Sequence, residues 1–418
     1  MIEYGLVGER LGHSYSPEIH SMIADYKYEL IEVPPSGIDA FFDERGFMGL
    51  NVTIPYKETV IPHLDEIDDA AREIGAVNTI VNRGGKLTGY NTDWIGMQMA
   101  MLRAGVLPSG KKVLICGTGG TSKTAAYVAR QLGAKSAVFL SRSKKEGCST
   151  YEEAASLHRD AGIIINATPC GMYPDDASSP IDISAFPELS GVFDAVFNPL
   201  KTNLVLDAAA RGIPAAGGLF MLVAQAIAAS EKFTGRVCSK GLHEKVYGDV
   251  LKNRENIVLT GMPSSGKSTV GAAIAKSLGR ELVDTDALIF EAEGRSIPEI
   301  FASDGEDYFR DAESLAINKA SQKQGVVIAT GGGAVLRAQN VRALRRNGRI
   351  YFLDRSLEKL VATSDRPLSS DKGALEARYR ERIDIYRCVC DAAIDSDGTV
   401  EEAAKSILEE FDSRRDDV

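Results

Sequence analysis

The chain has 418 residues, 44% of them hydrophobic and 25% charged, with a formal net charge of −10. That length exceeds one ordinary domain, and the balance is that of a globular protein rather than a disordered or fibrous one. The acidic charge argues against a broad nucleic-acid or membrane footprint, and the 6 scattered cysteines read as reduced thiols rather than a disulfide framework or a zinc site. No apolar run approaches the ~18 residues of a membrane span, and Met1-Ile2-Glu3-Tyr4-Gly5 has no secretory leader pattern. A cytoplasmic protein acting on small molecules is expected.

In chain order, Ile2 to Gly8 reads as a short strand ending in glycine. Ser14-Tyr15-Ser16-Pro17 follows, two hydroxyls at a helix start that serve either as a cap or as hydrogen-bonding groups for a polyhydroxylated or carboxylated ligand. Gly49 to Lys57 alternates apolar and polar residues until Pro55 ends the strand. Thr53 and Lys57 therefore stand at a strand terminus. Asn78 and Asp93 each lie beside an apolar strand. Asp93 suits a helix N-cap or an acidic partner for Lys57, and spacing alone does not choose.

Lys111 to Cys116 is a strand that runs into Gly117-Thr118-Gly119-Gly120. A helix over Ala125 to Leu132 and a strand over Ser136 to Leu140 complete a βαβ unit of ~30 residues, the setting of a dinucleotide-binding turn. The second strand ends in Ser141-Arg142-Ser143-Lys144-Lys145. An acid there would hold a ribose 2′-hydroxyl, whereas these basic and hydroxyl groups suit a 2′-phosphate, so NADP(H) is favoured. Two more strands, over Ile163 to Thr168 and Val192 to Phe197, end in polar or turn residues. A helix then begins after Gly217-Gly218, with Met221 and Gln225 on one face.

Together these residues resemble shikimate dehydrogenase across about residues 1–248. The motifs are S-x-S at Ser14 and Ser16, N-V-T-x-P-x-K from Asn51 to Lys57, A-V-N-T at Asn78 and Y-N-T-D at Asp93. The glycine turn, N-A-T-P-x-G-M from Asn166 to Met172, and G-G-x-x-M-L-V-x-Q from Gly217 to Gln225 complete them. The resemblance implies reduction of 3-dehydroshikimate with NADPH, with Lys57 and Asp93 as the catalytic pair. It implies substrate contacts from Ser14, Ser16, Thr53, Asn78, Asp93 and Gln225, and cofactor contacts from Gly117, Gly119, Gly120, Ser141, Arg142, Ser143 and Gly218. The chain departs from the family at Phe197, where a tyrosine is usual. The general chemistry agrees, since hydride delivery to a ketone leaves an alkoxide that a lysine can protonate.

The last third opens with the apolar strand Asn256 to Thr260. Gly261-Met262-Pro263-Ser264-Ser265-Gly266-Lys267-Ser268 follows, and then a helix from Thr269 to Leu278. This matches G-x-x-x-x-G-K-[ST], a phosphate-cradling loop in which Lys267 reaches the β/γ-phosphates and Ser268 ligates Mg²⁺. Glu281 to Asp286 reads as a strand ending in two acids, of which Asp284 can position Mg²⁺. Ile300 to Glu313 reads as helical and carries Arg310. A strand runs into Gly331-Gly332-Gly333, and Arg382 lies on a late helix. Arg310 and Arg382 can grip an acceptor carboxylate.

This set resembles shikimate kinase from residue 256 to about 412. The pieces are the phosphate loop, D-T-D, I-F-x-x-x-G-E-x-x-F-R-x-x-E, G-G-G, R-P-L at Arg366 and R-x-x-x-Y at Arg382. The resemblance implies that Asp286, Arg310, Gly332, Gly333 and Arg382 bind shikimate. Gly261, Ser264, Ser265, Gly266, Lys267, Ser268, Thr269 and the lid residue Arg366 would serve ATP, with Ser268 and Asp284 on Mg²⁺ and Lys267 catalytic. The lid before Arg366 is short, and the proline usual before Tyr386 is replaced near Asp384.

The expected architecture is α/β. It comprises a split catalytic α/β domain (1–95 and 220–250), a Rossmann NADP-binding domain (96–219) and a P-loop kinase domain with a parallel sheet (254–418). The expected function is bifunctional: NADPH-dependent reduction of 3-dehydroshikimate, then ATP-dependent phosphorylation of shikimate. The rival readings are a C-terminal nucleotide sensor that regulates the first half, and quinate or another polyol acid as substrate.

Overall fold

The computed structural model describes residues 2–12, 14–361 and 372–413; Arg366, expected in the lid, lies outside them. The chain divides into two units, Met1–Val250 and Leu251–Val418. The first unit holds two six-stranded sheets and the second a five-stranded one.

The first sheet comprises β1 (Ile2–Gly8), β2 (Tyr28–Glu32), β3 (Phe47–Val52), β4 (Glu66–Ile67), β5 (Thr79–Arg83) and β6 (Lys86–Tyr90). Its order is β2-β1-β3-β5-β6-β4. Strand β1 lies parallel to both neighbours, and β5 runs antiparallel to β3 and β6. The helices α1 (Ser16–Ile23), α2 (Ile38–Glu44), α3 (Asp69–Ile74) and α4 (Asp93–Arg103) belong to this stretch. Val7, Phe42, Leu50, Val52 and Ile80 centre its core.

The second sheet is wholly parallel: β7 (Lys112–Cys116), β8 (Ser136–Ser141), β9 (Cys148–Thr150), β10 (Ala161–Asn166), β11 (Gly191–Asp194) and β12 (Ala215–Ala216), in the order β12-β11-β10-β7-β8-β9. Strands buried on both faces explain the continuous apolar runs. Val113 and Ile115 pack on one side, and Leu114 and Cys116 on the other. Helices α5 (Gly120–Gln131), α6 (Tyr151–Leu157) and α7 (Asn203–Ala210) connect the strands, followed by α8 (Leu219–Thr234) and α9 (Leu242–Arg254). The strand order reverses beside β7, which is where an open parallel sheet forms its ligand crevice.

Helix α8 serves both sheets. Phe220, Met221 and Ala224 join the core of the second, while Ala229 and Phe233 pack against Tyr4 and Val81 of the first.

The third sheet is also parallel: β13 (Asn256–Thr260), β14 (Leu282–Asp284), β15 (Val327–Ala329), β16 (Gly348–Asp354) and β17 (Ala392–Asp395), in the order β14-β15-β13-β16-β17. Around it stand α10 (Lys267–Leu278), α11 (Thr285–Glu293), α12 (Ile297–Ser303), α13 (Gly305–Ser321), α14 (Ala338–Asn347), α15 (Lys372–Val389) and α16 (Val400–Ser413). Val258, Ile328, Ile350 and Phe352 build the core on one face, and Leu259, Val327, Tyr351 and Leu353 that on the other.

Several element boundaries differ from the sequence reading. Asp286 is not in a strand: β14 ends at Asp284, whose carboxylate accepts the N–H of Asp286 and caps α11. The helical stretch containing Arg310 is two helices, because Gly305 has φ +85° and turns the chain between α12 and α13. Helix α5 starts at Gly120 and α10 at Lys267, so both glycine turns feed directly into helical residues. The expected division at 95/96 falls inside α4, and the separation of the two units falls inside α9.

Candidate active sites

Lys57 follows the end of β3, and Asp93 is the first residue of α4, where a carboxylate suits the positive end of the helix dipole. Asp93 is not the cap: the N-cap position is Thr92, without a side-chain cap bond. Instead, Lys57 Nζ donates to Asp93 Oδ2 at 2.6 Å, and Asp93 is only 7% exposed. Asn78 organises the surroundings. Its amide donates to Asp93 Oδ1 at 2.9 Å and to Gln225 Oε1 at 3.4 Å, while its Oδ1 accepts the Thr92 N–H at 2.6 Å. Gln225 reaches this point because α8 crosses α4 at Gly96, where a side-chain carbon would lie 2.4 Å from the Met221 carbonyl oxygen.

Ser16 is the first residue of α1, whose N-cap position is Tyr15 without a side-chain cap bond, and the Ser16 N–H donates to Ser14 Oγ at 3.2 Å. The Tyr28 hydroxyl lies beside Ser16 and donates to Asn51 Oδ1 at 2.7 Å. Asn51 in turn donates to Thr79 Oγ1 at 3.1 Å, which stands 3.1 Å from Thr92 Oγ1. A continuous polar chain thus links the serines to the neighbourhood of Asn78 and Asp93. Thr53 sits at the strand ends against Gly8. Phe197 meets Tyr15 edge-on, with ring centroids 5.1 Å apart.

Lys57 also borders a cleft of about 1240 Å³ whose walls include Gly117, Gly119, Gly120, Ser141, Arg142 and Ser143. Gly117 has φ +105°, a conformation open to glycine. A side-chain carbon on Gly120 would come within 4.0 Å of Lys57 Cδ. The glycine turn and the lysine therefore adjoin. Gly218 is not part of the cleft wall. It lies at the start of α8, where an added Cβ would sit 2.2 Å from the Ala195 carbonyl oxygen. Lys145, one of the basic groups read as suiting a 2′-phosphate, lines the cleft and donates to Thr118 Oγ1 at 3.4 Å.

In the second unit the loop from Gly261 to Gly266 links β13 to α10, whose first-turn N–H groups have no intrahelical acceptor and favour an anion. Gly266 is left-handed, with φ +90°. Lys267 Nζ donates to the carbonyls of Gly261 at 3.0 Å and Met262 at 2.9 Å, which holds it across the loop. Ser268 Oγ donates to Asp284 Oδ2 at 2.7 Å. Ser264 Oγ donates to the Val361 carbonyl at 2.7 Å, Ser265 Oγ is buried without a hydrogen-bond partner, and Thr269 is exposed.

Around the triple glycine Arg310, Glu313, Arg382 and Asp286 converge. Arg310, 7% exposed, donates to Glu313 Oε2 at 2.8 Å and to Glu306 Oε1 at 3.0 Å. Arg382 Nη1 donates to the Gly332 carbonyl at 3.2 Å, and the Tyr386 hydroxyl donates to the same oxygen. A Cβ on Gly331 would meet Glu313 Oε1 at 2.7 Å and Asp286 Oδ1 at 2.8 Å. One on Gly332 would meet Pro263 of the phosphate loop at 3.0 Å. Arg382 Nε and Glu313 Oε1 are buried without hydrogen-bond partners. Burial pushes the Glu313 carboxyl up, and the Arg310 guanidinium pulls it back.

Glu313 and Tyr386 belong to quoted motifs but carried no role. The signal for Glu313 was present, since residues three apart share a helical face. Asn51 and Thr92 also stand in quoted motifs without a role, whereas Tyr28 left no such signal, because its meeting with Asn51 depends on strand order.

Residues 6–80 match the family model of the shikimate dehydrogenase substrate binding domain, and residues 263–412 match that of shikimate kinase. The shikimate dehydrogenase (NADP(+)) of Clostridium perfringens is 36% identical over 265 residues, covering 59% of this chain and 97% of the relative. That of Geobacillus kaustophilus is 36% identical over 255 residues, covering 56% and 92%. Among solved structures, shikimate dehydrogenase 1 from Peptoclostridium difficile aligns with a TM-score of 0.55 at 34% identity, over 60% of this chain and 98% of that one. Shikimate 5-dehydrogenase from Thermus thermophilus, in complex with NADP(H) and shikimate, aligns with a TM-score of 0.53 at 30% identity, over 59% and 98%. The chain belongs to the shikimate dehydrogenase family and carries a shikimate kinase domain behind it, and is thereby a bifunctional enzyme of the shikimate pathway.

Proposed function

We propose that Lys57 and Asp93 are the catalytic pair for reduction of 3-dehydroshikimate, and that the second unit phosphorylates the resulting shikimate with ATP and Mg²⁺. The observation that carries the first assignment is the Lys57–Asp93 contact of 2.6 Å beside the Gly120 turn. Bound NADPH supplies the hydride to the ketone carbon. Lys57 Nζ then gives a proton to the alkoxide oxygen. Asp93 orients that ammonium, and Asn78 holds Asp93. Ser14, Ser16, Thr53, Asn78 and Gln225 present the hydroxyl and amide groups that a carboxylated triol requires. The cofactor fits the residues present: the glycine turn offers a side-chain-free surface, and Arg142, flanked by Ser141 and Ser143, offers a cation for the 2′-phosphate.

In the second unit, Lys267 and the N–H groups of the α10 first turn would hold the phosphates of ATP, with Gly261, Ser264, Ser265, Gly266 and Thr269 shaping the loop. Ser268 and Asp284 offer a hydroxyl and a carboxylate 2.7 Å apart. These are hard oxygen donors of the kind Mg²⁺ takes, with phosphate and water completing its shell. Arg310 and Arg382 would clasp the acceptor carboxylate, Asp286 its hydroxyl groups, and Gly332 and Gly333 let it approach the phosphate loop.

Incubating the protein with 3-dehydroshikimate, NADPH and ATP and analysing products by mass should yield shikimate 3-phosphate. Lys57→Ala should slow NADPH oxidation by about 100-fold or more while phosphorylation of added shikimate continues. Lys267→Ala should do the reverse. Loss of both activities in either folded variant would sink the two-site assignment.

A further inference from the structure

Behind the cofactor cleft lies a buried carboxylate with no part in the chemistry just described. Asp194 ends β11 and is fully buried. Across the sheet its register partner is Asn166, the last residue of β10, also fully buried. The Asn166 amide donates to Asp194 Oδ1 at 2.9 Å. The same oxygen accepts the Val196 N–H at 3.0 Å, and Oδ2 accepts the Thr202 hydroxyl at 2.6 Å. All three partners are donors, an arrangement that suits a carboxylate.

The two sides of this clasp lead to different parts of the cofactor region. On one side, Asn166 Oδ1 accepts the N–H of Thr168 at 3.0 Å and its hydroxyl at 2.7 Å, and Thr168 Oγ1 accepts the Cys170 N–H at 3.2 Å. Thr168 and Cys170 line the cleft. A Cβ on Gly117 would lie 2.8 Å from Thr168 Cγ2, so Thr168 rests directly on the dinucleotide turn. On the other side, the Val196 carbonyl accepts the Gly218 N–H at 2.9 Å at the start of α8. Burial pushes the Asp194 carboxyl up to about 7, while Thr202, Val196 and Asn166 act in the opposite direction. Keeping an acid in this place has a free-energy cost that an apolar residue would avoid.

We infer that Asp194 is a positioning residue for NADP(H) binding: acting through Asn166 and Thr168, it sets the cleft wall that abuts the Gly117 turn. Asp194 is fully buried and outside the cleft lining, and it ties the ends of β10 and β11 together through Asn166. This inference rests on the assignment of the cleft to NADP(H).

The test is NADP⁺ affinity measured by titration calorimetry without turnover, alongside KM for 3-dehydroshikimate and thermal unfolding. Asp194→Val takes the acceptor away from one N–H of the Asn166 amide, from the Val196 N–H and from the Thr202 hydroxyl, and leaves Asn166 its bond to the Cys170 carbonyl. It should weaken NADP⁺ binding about tenfold or more while KM for 3-dehydroshikimate changes less than about threefold. Asp194→Asn keeps an oxygen for Val196 and Asn166, and Thr202 can turn its hydroxyl to accept, so this variant should bind NADP⁺ within about threefold of the parent. Should Asp194→Val not fold, Asn166→Ala decides: it removes the bridge between Asp194 and Thr168, together with the bond to the Cys170 carbonyl, and should weaken NADP⁺ binding to a similar degree. A lowered Tm with unchanged NADP⁺ affinity in Asp194→Val, or in Asn166→Ala where that variant decides, would overturn the inference and leave the cofactor assignment standing. Failure of the parent protein to bind NADP⁺ would overturn both.

Discussion

Arg310 lies so close over Gly333 that a methyl group there would stand 2.0 Å from its Nη1. Gly333 has φ −97°, a backbone that alanine accepts, so the conflict falls on the flexible end of the arginine and not on the fold. Gly333→Ala should therefore displace the Arg310 guanidinium while the protein remains folded. Loss of a charge-assisted contact predicts a KM for shikimate in the phosphorylation reaction raised about tenfold or more, with the reduction of 3-dehydroshikimate unchanged. An unchanged KM for shikimate in that variant would mean that Arg310 does not touch the acceptor. At this scale the charged residues were largely legible. Lys57, Asp93, Lys267, Arg310 and Arg382 were picked out by the motifs they stand in and not by their immediate neighbours; Arg382, for one, follows Arg380 and Glu381. The partners themselves were less legible. Glu313, 1% exposed, reads in sequence like any helical glutamate. Asp194 reads as an interior residue of a strand from Val192 to Phe197, and only the structure ends that strand at Asp194, beside Asn166.

Among the elements, the crossing of α4 and α8 decides the first site. Asp93 opens one helix and Gln225 lies in the other, more than a hundred residues later. At the crossing a Cβ on Gly96 would be 2.4 Å from the Met221 carbonyl oxygen and 3.0 Å from the Gln225 N. Both are backbone atoms, so relief requires the helices to part. Gly96→Ala should cost about 1–3 kcal/mol from overpacking, with Tm falling about 2–4 °C per kcal/mol. It should also raise KM for 3-dehydroshikimate and spare phosphorylation. Retention of parental KM and Tm would show that the crossing has slack. Strand–turn–helix succession was readable here because apolar runs, glycines and helix starts follow local rules. The ends were not: Asp286 fell into a helix because the Asp284 side chain caps it. Side-chain hydrogen bonding made that choice, not periodicity.

At the scale of the whole molecule, each unit has its own sheets and its own core. Units with separate cores are expected to fold separately. The division falls within α9, so fragments should keep that helix whole. A fragment ending after Arg254 should reduce 3-dehydroshikimate with NADPH, and one beginning at Leu242 should phosphorylate shikimate. Each should have kcat within about threefold of the intact chain, checked by separate steady-state assays and by circular dichroism. An insoluble or inactive fragment with the other intact would show that one half depends on the other for folding. Among the described residues no helix is long and apolar enough to cross a membrane.

The sequence by itself determined the α/β class, both successions of strand, glycine turn and helix, and the motifs that carry most of the charged residues proposed for the sites. Each of these is written in local spacing, in the succession of an apolar run, a glycine turn and a helix start. Tertiary structure decided that Asp93 pairs with Lys57 instead of capping α4. It also brought Gln225 to Asn78, closed Glu313 on Arg310, and set Asp194 behind the cofactor cleft. These contacts join residues from 3 to 147 positions apart, and the distant ones depend on strand order and helix crossing, which no local pattern encodes.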